Sequence, residues 1–212
     1  MAVCCADAPI VQLLADADHL SLLSEKVLRA EVGVDLMTAD LKTVLIPTGH
    51  GRASSLLAHL ATLAGRGVEV RLLHAGVPTR PALAELRRLT DRATGQLPPN
   101  LQLRRCPRLH AKVALIDMAG VYLGSANLTG AGLGAKGPTR RNFELGTWHR
   151  DAATVERVAA YFNELWEGRH CPGCGRRDIC PEPLERPNLA GPAMLTSPPR
   201  STNRLAKRPC GS

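Results

Sequence analysis

Apolar residues along the chain recur with two different periods, and the switching between them predicts the elements. From 8 to 31, Ile10, Val11, Leu14, Leu20, Leu23, Val27 and Leu28 recur at mostly helical spacing with charges between them, which predicts one or two amphipathic helices. "KTVLIP" reads as a short buried strand, and "ASSLLAHLATLAGRG" as a helix ending at Gly65 and Gly67. "VEVRLLHAG" alternates apolar and polar residues before a glycine and predicts a second strand. "PALAELRRLTDRAT" opens on a proline, a residue suited to the first turn of a helix, and repeats leucine at helical intervals. "LQLRRC", "HAKVALID", "GVYLGS" and "NFELGTWH" follow as strands. "DAATVERVAAYFNELWEG" is a closing helix, capped by Asp151 and stopped by Gly168. Strands joined through helices imply an α/β layer architecture.

After Gly168 the pattern breaks. "RHCPGCGRRDICP" is a Cys-rich knuckle, and the Pro-rich stretch after it is poor in large apolar residues and basic at its end, a composition expected to be disordered. The organisation expected is an N-terminal helical segment (1–40), a main α/β domain (41–168), the knuckle (169–182) and the basic tail (183–212). A chain of 212 residues accommodates one full domain with a small appendage. Aromatic content of 3% leaves the core to Leu, Val, Ile and Ala and few rings for stacking on bases.

The net charge of +8 suggests a polyanionic partner, and its distribution is uneven. Residues 1 to 45 are acidic, with Asp7, Asp16, Asp18, Glu25, Glu31, Asp35 and Asp40 against Lys26, Arg29 and Lys42. Residues 80 to 112 carry Arg80, Arg87, Arg88, Arg92, Arg104, Arg105, Arg108 and Lys112 against Glu85 and Asp91. Arg104, Arg105 and Arg108 would line a phosphate-backbone channel of little sequence preference. The first residues lack a basic signal-peptide start, and no apolar run reaches the roughly 18 residues of a membrane span, so a cytoplasmic protein without a transmembrane segment is expected. Seven cysteines, an odd number, suit reduced thiols or metal ligands better than a disulfide framework.

The chemistry gathers in "LHAKVALIDMAGVYLGSANLTGAG" (109–132). On a strand, alternate side chains share a face, so His110 and Lys112 point the same way. Asp117 closes that strand, Gly120 allows a turn, and Ser125 and Asn127 emerge beyond Gly124 on the return. Imidazole, ammonium, hydroxyl and amide would then surround one tetrahedral anion, with Gly124 letting the backbone come close. His110-x-Lys112, four residues, Asp117, six residues, then Gly124-Ser125-x-Asn127 resembles the HKD signature of the phospholipase D superfamily. "LLAHLATLAGRGVEVRLL" and "RRNFELG" resemble the elements that flank it, so the likeness spans roughly residues 42 to 166.

That resemblance implies a layered α-β-α domain with a mixed sheet and metal-independent phosphodiester cleavage through a phosphohistidine, with no cofactor for catalysis. Carried over, His110 is the nucleophile and Lys112 a fixed charge for the phosphoryl oxygens. Asn127 and Ser125 are neutral donors, Glu144 orients the His110 ring, and Asp117 is more structural than chemical. The family uses two copies of the motif around one pocket and this chain has one, as in its single-motif nucleases. A two-fold homodimer would supply the second histidine, and monomer would be inactive. His149 and His170 lack a partner lysine at the motif spacing and replace neither copy.

The reading is a phospholipase D-like nuclease on DNA or RNA. One alternative is a phospholipase or phosphatidyl transferase. Another is a catalytically silent nucleic-acid-binding subunit of a larger restriction or phage-defence complex. In the knuckle, Cys171, Cys174 and Cys180, with His170 or His149 as fourth ligand, would hold a structural zinc or else remain three free thiols. Cys4, Cys5, Cys106 and Cys210 carry no assignment.

Overall fold

The computed structural model describes residues 10–49 and 52–186. In chain order the elements are β1 (Val11–Ala15), α1 (Asp18–Leu28), β2 (Gly33–Thr38), β3 (Leu45–Gly49), β4 (Arg52–Ser55), α2 (Leu56–Gly65), β5 (Glu69–His74), α3 (Arg80–Leu89), β6 (Leu101–Arg105), β7 (Val113–Ile116), β8 (Gly120–Gly124), β9 (Leu145–His149) and α4 (Ala152–Trp166). Local chemistry sets several boundaries. The Ser55 hydroxyl accepts from the Leu57 amide to start α2, and Asp151 accepts from the Thr154 amide to start α4. Gly67 (φ +96°) and Gly168 (φ +70°) end these helices in the left-handed region that glycine enters without strain.

Seven strands form one mixed sheet in the order β1-β9-β8-β7-β2-β5-β6, while β3 and β4 form a separate hairpin. β2, β5 and β6 run parallel, β7 pairs antiparallel with β2, and β8, β9 and β1 continue antiparallel. Side chains alternate across the sheet. On β7, Ala114 and Ile116 join the core under α1, α2 and α3, whereas Val113 and Leu115 join the core under α4. The sheet is thus covered on both faces, the α-β-α layering expected.

Three strands differ from the sequence reading. β4 takes residues expected at the start of a helix and pairs with β3 apart from the main sheet. β1 falls where a helix was expected. It is an edge strand that leaves Val11 and Leu13 exposed, so its apolar residues do not mark one face. β2 was not assigned at all, yet it joins the parallel and antiparallel halves. Both its faces are covered, which erases the alternation that reports a strand, and Asp35 interrupts its apolar run. Asp35 is held there by a bidentate pairing with Arg71 on β5 (2.6 and 2.7 Å). Burial pushes the Asp35 carboxyl up and the Arg71 guanidinium pulls it back. Residues 10–40 therefore give the main sheet two strands, with α1 between them packed in its core, and are not a separate helical segment. The tail expected from 183 has its first residues described, with Leu184 packed in the core under α4; 187–212 lie outside the described residues, as do Cys4, Cys5 and Cys210.

The turn between β7 and β8 carries Asp117 and Met118 at φ +53°, a conformation that Asp tolerates better than most residues. The Asp117 carboxylate accepts from the amides of Glu31 (3.1 Å), Val32 (2.8 Å) and Gly33 (2.9 Å), fixing the start of β2. Asp117→Ala is expected to lower stability by about 2 kcal/mol, the scale of hydrogen bonds to a charged acceptor. Chemical denaturation would show this as an earlier midpoint with an unchanged slope.

Candidate active site

The parallel strands β2, β5 and β6 end, β7 begins, β8 ends and β9 begins along one edge of the sheet. Ligand sites of open α/β sheets sit outside such strand ends. His110 and Lys112 lie just before β7, in the loop from β6, and not within the strand as the alternation suggested. They nevertheless face one another. Lys112 Nζ donates to the His110 carbonyl oxygen (2.6 Å) and stands 3.1 and 3.3 Å from ring atoms Nδ1 and Nε2. The His110 side of this pair is exposed, while Lys112 is only 8% accessible. Burial holds the Lys112 ammonium below the ordinary lysine range, and the Glu144 and Asp40 carboxylates pull it back up. The result is a desolvated cation beside an accessible imidazole.

Asn127, beyond β8, is fixed through its carbonyl. Its Oδ1 accepts from the Ala39 amide (3.0 Å) and the Asp40 amide (3.3 Å) and lies 3.2 Å from the Thr38 hydroxyl. Those donors settle which way the amide faces, leaving Nδ2 with no partner among the described residues. Ser125 and Glu144 meet instead with each other. The Ser125 hydroxyl donates to Glu144 Oε2 and accepts from the Leu145 amide (3.2 Å), and Asn142 Nδ2 donates to Glu144 Oε1 (2.9 Å). The Glu144 carboxylate is directed to Ser125 and Asn142, and the expected contact to the His110 ring is not formed. Ser125, its proton given to Glu144, offers a lone pair at this site and not a donor.

Other expected members lie elsewhere. Asp117 ends the hairpin at the far end of β7, on the order of 15 Å along the strand from Lys112. Gly124 is required by packing: a Cβ there would sit 2.2 Å from the Tyr122 hydroxyl and 3.0 Å from the Gly146 Cα. Arg104 turns to the α4 face, where it donates to the Trp166 carbonyl (2.6 Å) and lies over the Trp166 ring. Arg105 stays at the site edge, its Nε bonded to the Ala75 carbonyl (3.1 Å). Arg108 is exposed two residues before His110, with its guanidinium charge interacting with Cys174. Among the described residues no three His, Cys, Asp or Glu side chains are set to hold a metal ion. Cys171, Cys174 and Cys180 are free thiols, as is Cys106. His170 turns to Glu164 (3.4 Å), and His149 lies at the opposite sheet edge against Thr147 and Asp151.

Sequence reading missed Thr38 and Asp40, which lie at the end of the unassigned β2, and His74 at the end of β5. His74 is 1% accessible, with Nδ1 2.8 Å from the Gly76 carbonyl oxygen and Nε2 without a partner.

The family model described as "Cardiolipin synthase, PLD-like domain" matches residues 34–166. Among solved structures, Nuc from Salmonella typhimurium, described as a phospholipase D family member, is similar with a TM-score of 0.55 and 18% identity over 74% of this chain and 93% of its own. NucT from Helicobacter pylori gives 0.54 and 18% over 74% and 95%. TrmBL2, described as an archaeal chromatin protein with a novel mode of DNA binding, gives 0.51 and 18% over 76% of this chain and 54% of its own. Comparison with curated proteins returned no match. With the family match spanning well over half of the sequence and the fold shared with Nuc and NucT, the chain belongs to the phospholipase D-like family.

Proposed function

We propose that this protein is a phosphodiesterase that cleaves DNA or RNA through a phosphohistidine, as a homodimer. The observation that carries the reading is the gathering of accessible His110, desolvated Lys112 and the unpartnered Asn127 amide at one sheet edge. In the first step a His110 ring nitrogen attacks phosphorus, a P–N bond forms, and the P–O bond to the leaving group breaks as that oxygen takes a proton. In the second, water attacks phosphorus, the P–N bond breaks, and the water's proton passes to the group that gave up the first. Lys112 and Asn127 Nδ2 stabilise the charge on the phosphoryl oxygens without reorganising. Glu144 holds Ser125 and Asn142 in place beside them.

The proton donor is assigned to His110 of the partner subunit. Within the chain His74 is the histidine built into the same edge, and it is unsuited: burial pushes it down to about 4, with the Gly76 carbonyl opposing and Arg105 reinforcing that shift. Such a ring is neutral at pH 7. A nucleic-acid substrate is supported by the net charge of +8 and by Arg105 and Arg108 flanking the His110 loop. No helix among the described residues is long and apolar enough to cross a membrane.

Labelled single- and double-stranded DNA and RNA, incubated in EDTA with the dimer fraction, should be cut by wild type. His110→Ala should lose about a thousandfold or more of that rate, and the isolated monomer should be inactive. Salt-sensitive binding without cutting would point to a silent binding subunit, and turnover of phospholipid vesicles alone to a lipid enzyme.

His74 also gives a pH dependence with a definite sign. Its folded pKa lies below the unfolded value of 6.5, so its contribution is complete above about 6.5 and is lost as pH falls toward 4. Stability should fall by about 3 kcal/mol over that window, and His74→Gln should flatten the decline in denaturation midpoints.

A further inference from the structure

We propose that Cys106, Cys171, Cys174 and Cys180 bind a structural zinc ion that ties the C-terminal knuckle to the loop carrying His110. This goes beyond the proposed activity and does not depend on it. The four cysteines are all free and none is fully exposed. Two of them sit in similar backbone settings. Cys171-Pro-Gly-Cys174-Gly-Arg176 forms a tight turn in which the Cys174 amide donates to the Cys171 carbonyl (3.1 Å) and the Arg176 amide donates to the Cys174 sulfur (3.4 Å). Cys106 is likewise followed by a proline, and the Leu109 amide closes its turn on the Cys106 carbonyl (2.9 Å). At Cys174 the amide aimed at the sulfur stabilises a thiolate, the form in which cysteine binds a metal.

Tertiary packing brings the two segments together. Arg176 Nη1 donates to the Pro107 carbonyl (3.0 Å), linking the knuckle to the residue after Cys106. Cys106 lies within electrostatic reach of Cys174 and Cys180. Cys106, Cys171 and Cys174 line one cleft of about 250 Å³ together with His110. Gly168 fixes the approach, since a Cβ there would stand 2.3 Å from the Glu185 amide nitrogen. Arg108 interacts with Cys174, and Arg177 with Cys171 and Cys174, so cationic charge lies beside the thiols. Four thiolates around Zn²⁺ carry a net charge of −2, which those arginines offset.

The sulfurs do not yet surround one point, and Cys171 bonds toward Glu185. A tetrahedral set at Zn–S distances of about 2.3 Å needs sulfurs roughly 3.8 Å apart. A χ1 rotation between staggered wells moves a sulfur by about 3 Å, and metal binding drives that rotation. The fourth ligand is thereby Cys106, not His170 or His149. Only the fold shows it, because β6 and α4 carry the two segments to the same place from distant parts of the sequence. Cys106 stands four residues before His110, so the ion would hold the His110 loop against the end of α4.

Elemental analysis of the purified full-length protein should give one zinc per chain. Of its seven cysteines, three should react with a thiol reagent before metal release and all seven after. Cys106→Ser and Cys174→Ser should lose the metal, while His170→Ala and His149→Ala keep it. Should the serine variants fail to fold, Co²⁺ substituted into wild type reads the ligands directly through the absorption of a tetrahedral all-sulfur site. Metal-free protein with seven reactive thiols, a disulfide within the cluster, a Co²⁺ spectrum with nitrogen ligation, or zinc retained in Cys106→Ser would each overturn the site.

Discussion

The Thr38 hydroxyl, wholly buried at the end of β2, is the pin on which the site edge depends. It donates to the Asp40 carbonyl (2.8 Å), accepts from the Leu128 amide (3.0 Å) and stands 3.2 Å from Asn127 Oδ1. The Lys42 amide adds a bond to the Leu128 carbonyl (3.2 Å). Without these contacts the chain leaving β8 and the chain leaving β2 would both bury unpaired backbone groups. With them, the chain leaving β2 presents the Ala39 and Asp40 amides to Asn127 Oδ1 (3.0 and 3.3 Å), which turns the amide nitrogen outward. The Thr38 side chain thus sets the direction of Asn127 through the backbone it pins.

The spacing of the motif is the length of a hairpin. His110-x-Lys112 precedes β7, the four residues of β7 run away from the site, Asp117 turns the chain while gripping the start of β2, and β8 returns it to Ser125 and Asn127. Gly120 and Gly124 are demanded by Trp148 and Tyr122, whose rings fill the space a Cβ would need. The interval between Lys112 and Asn127 therefore encodes distance out and back, and the residue in the middle serves stability at a remove from the reacting centre.

The covered sheet, the helices on both sides of it and the hairpin with His110, Lys112 and Asn127 were legible because each rests on local pattern: leucine at helical intervals, capping residues, a proline at a helix start. What was illegible is non-local. β2 has no alternation because α1 to α3 press on one face and α4 on the other, and its buried Asp35 is tolerable only beside Arg71. The direction of Arg104 follows from the parity of its place on β6, which points it at Trp166. The partner of Glu144 is likewise settled by the register of β9 against β8, which sets Leu145 opposite Ser125 and leaves the preceding Glu144 within reach of the Ser125 hydroxyl.

That register also shapes the electrostatics. A carboxylate beside the proposed phosphate site would oppose an anionic substrate, yet here Glu144 accepts bonds from Ser125 and Asn142 and interacts with the Lys112 ammonium. Its charge is spread over those donors before any anion arrives. Lys112, held low by burial and raised by Glu144 and Asp40, gains a further reason to stay protonated when a phosphodiester enters. Binding the anion and keeping the cation charged then favour each other. In the proposed reaction Glu144 would act in that balance through Ser125 and Lys112, while the exposed side of the site is the one where His110 lies.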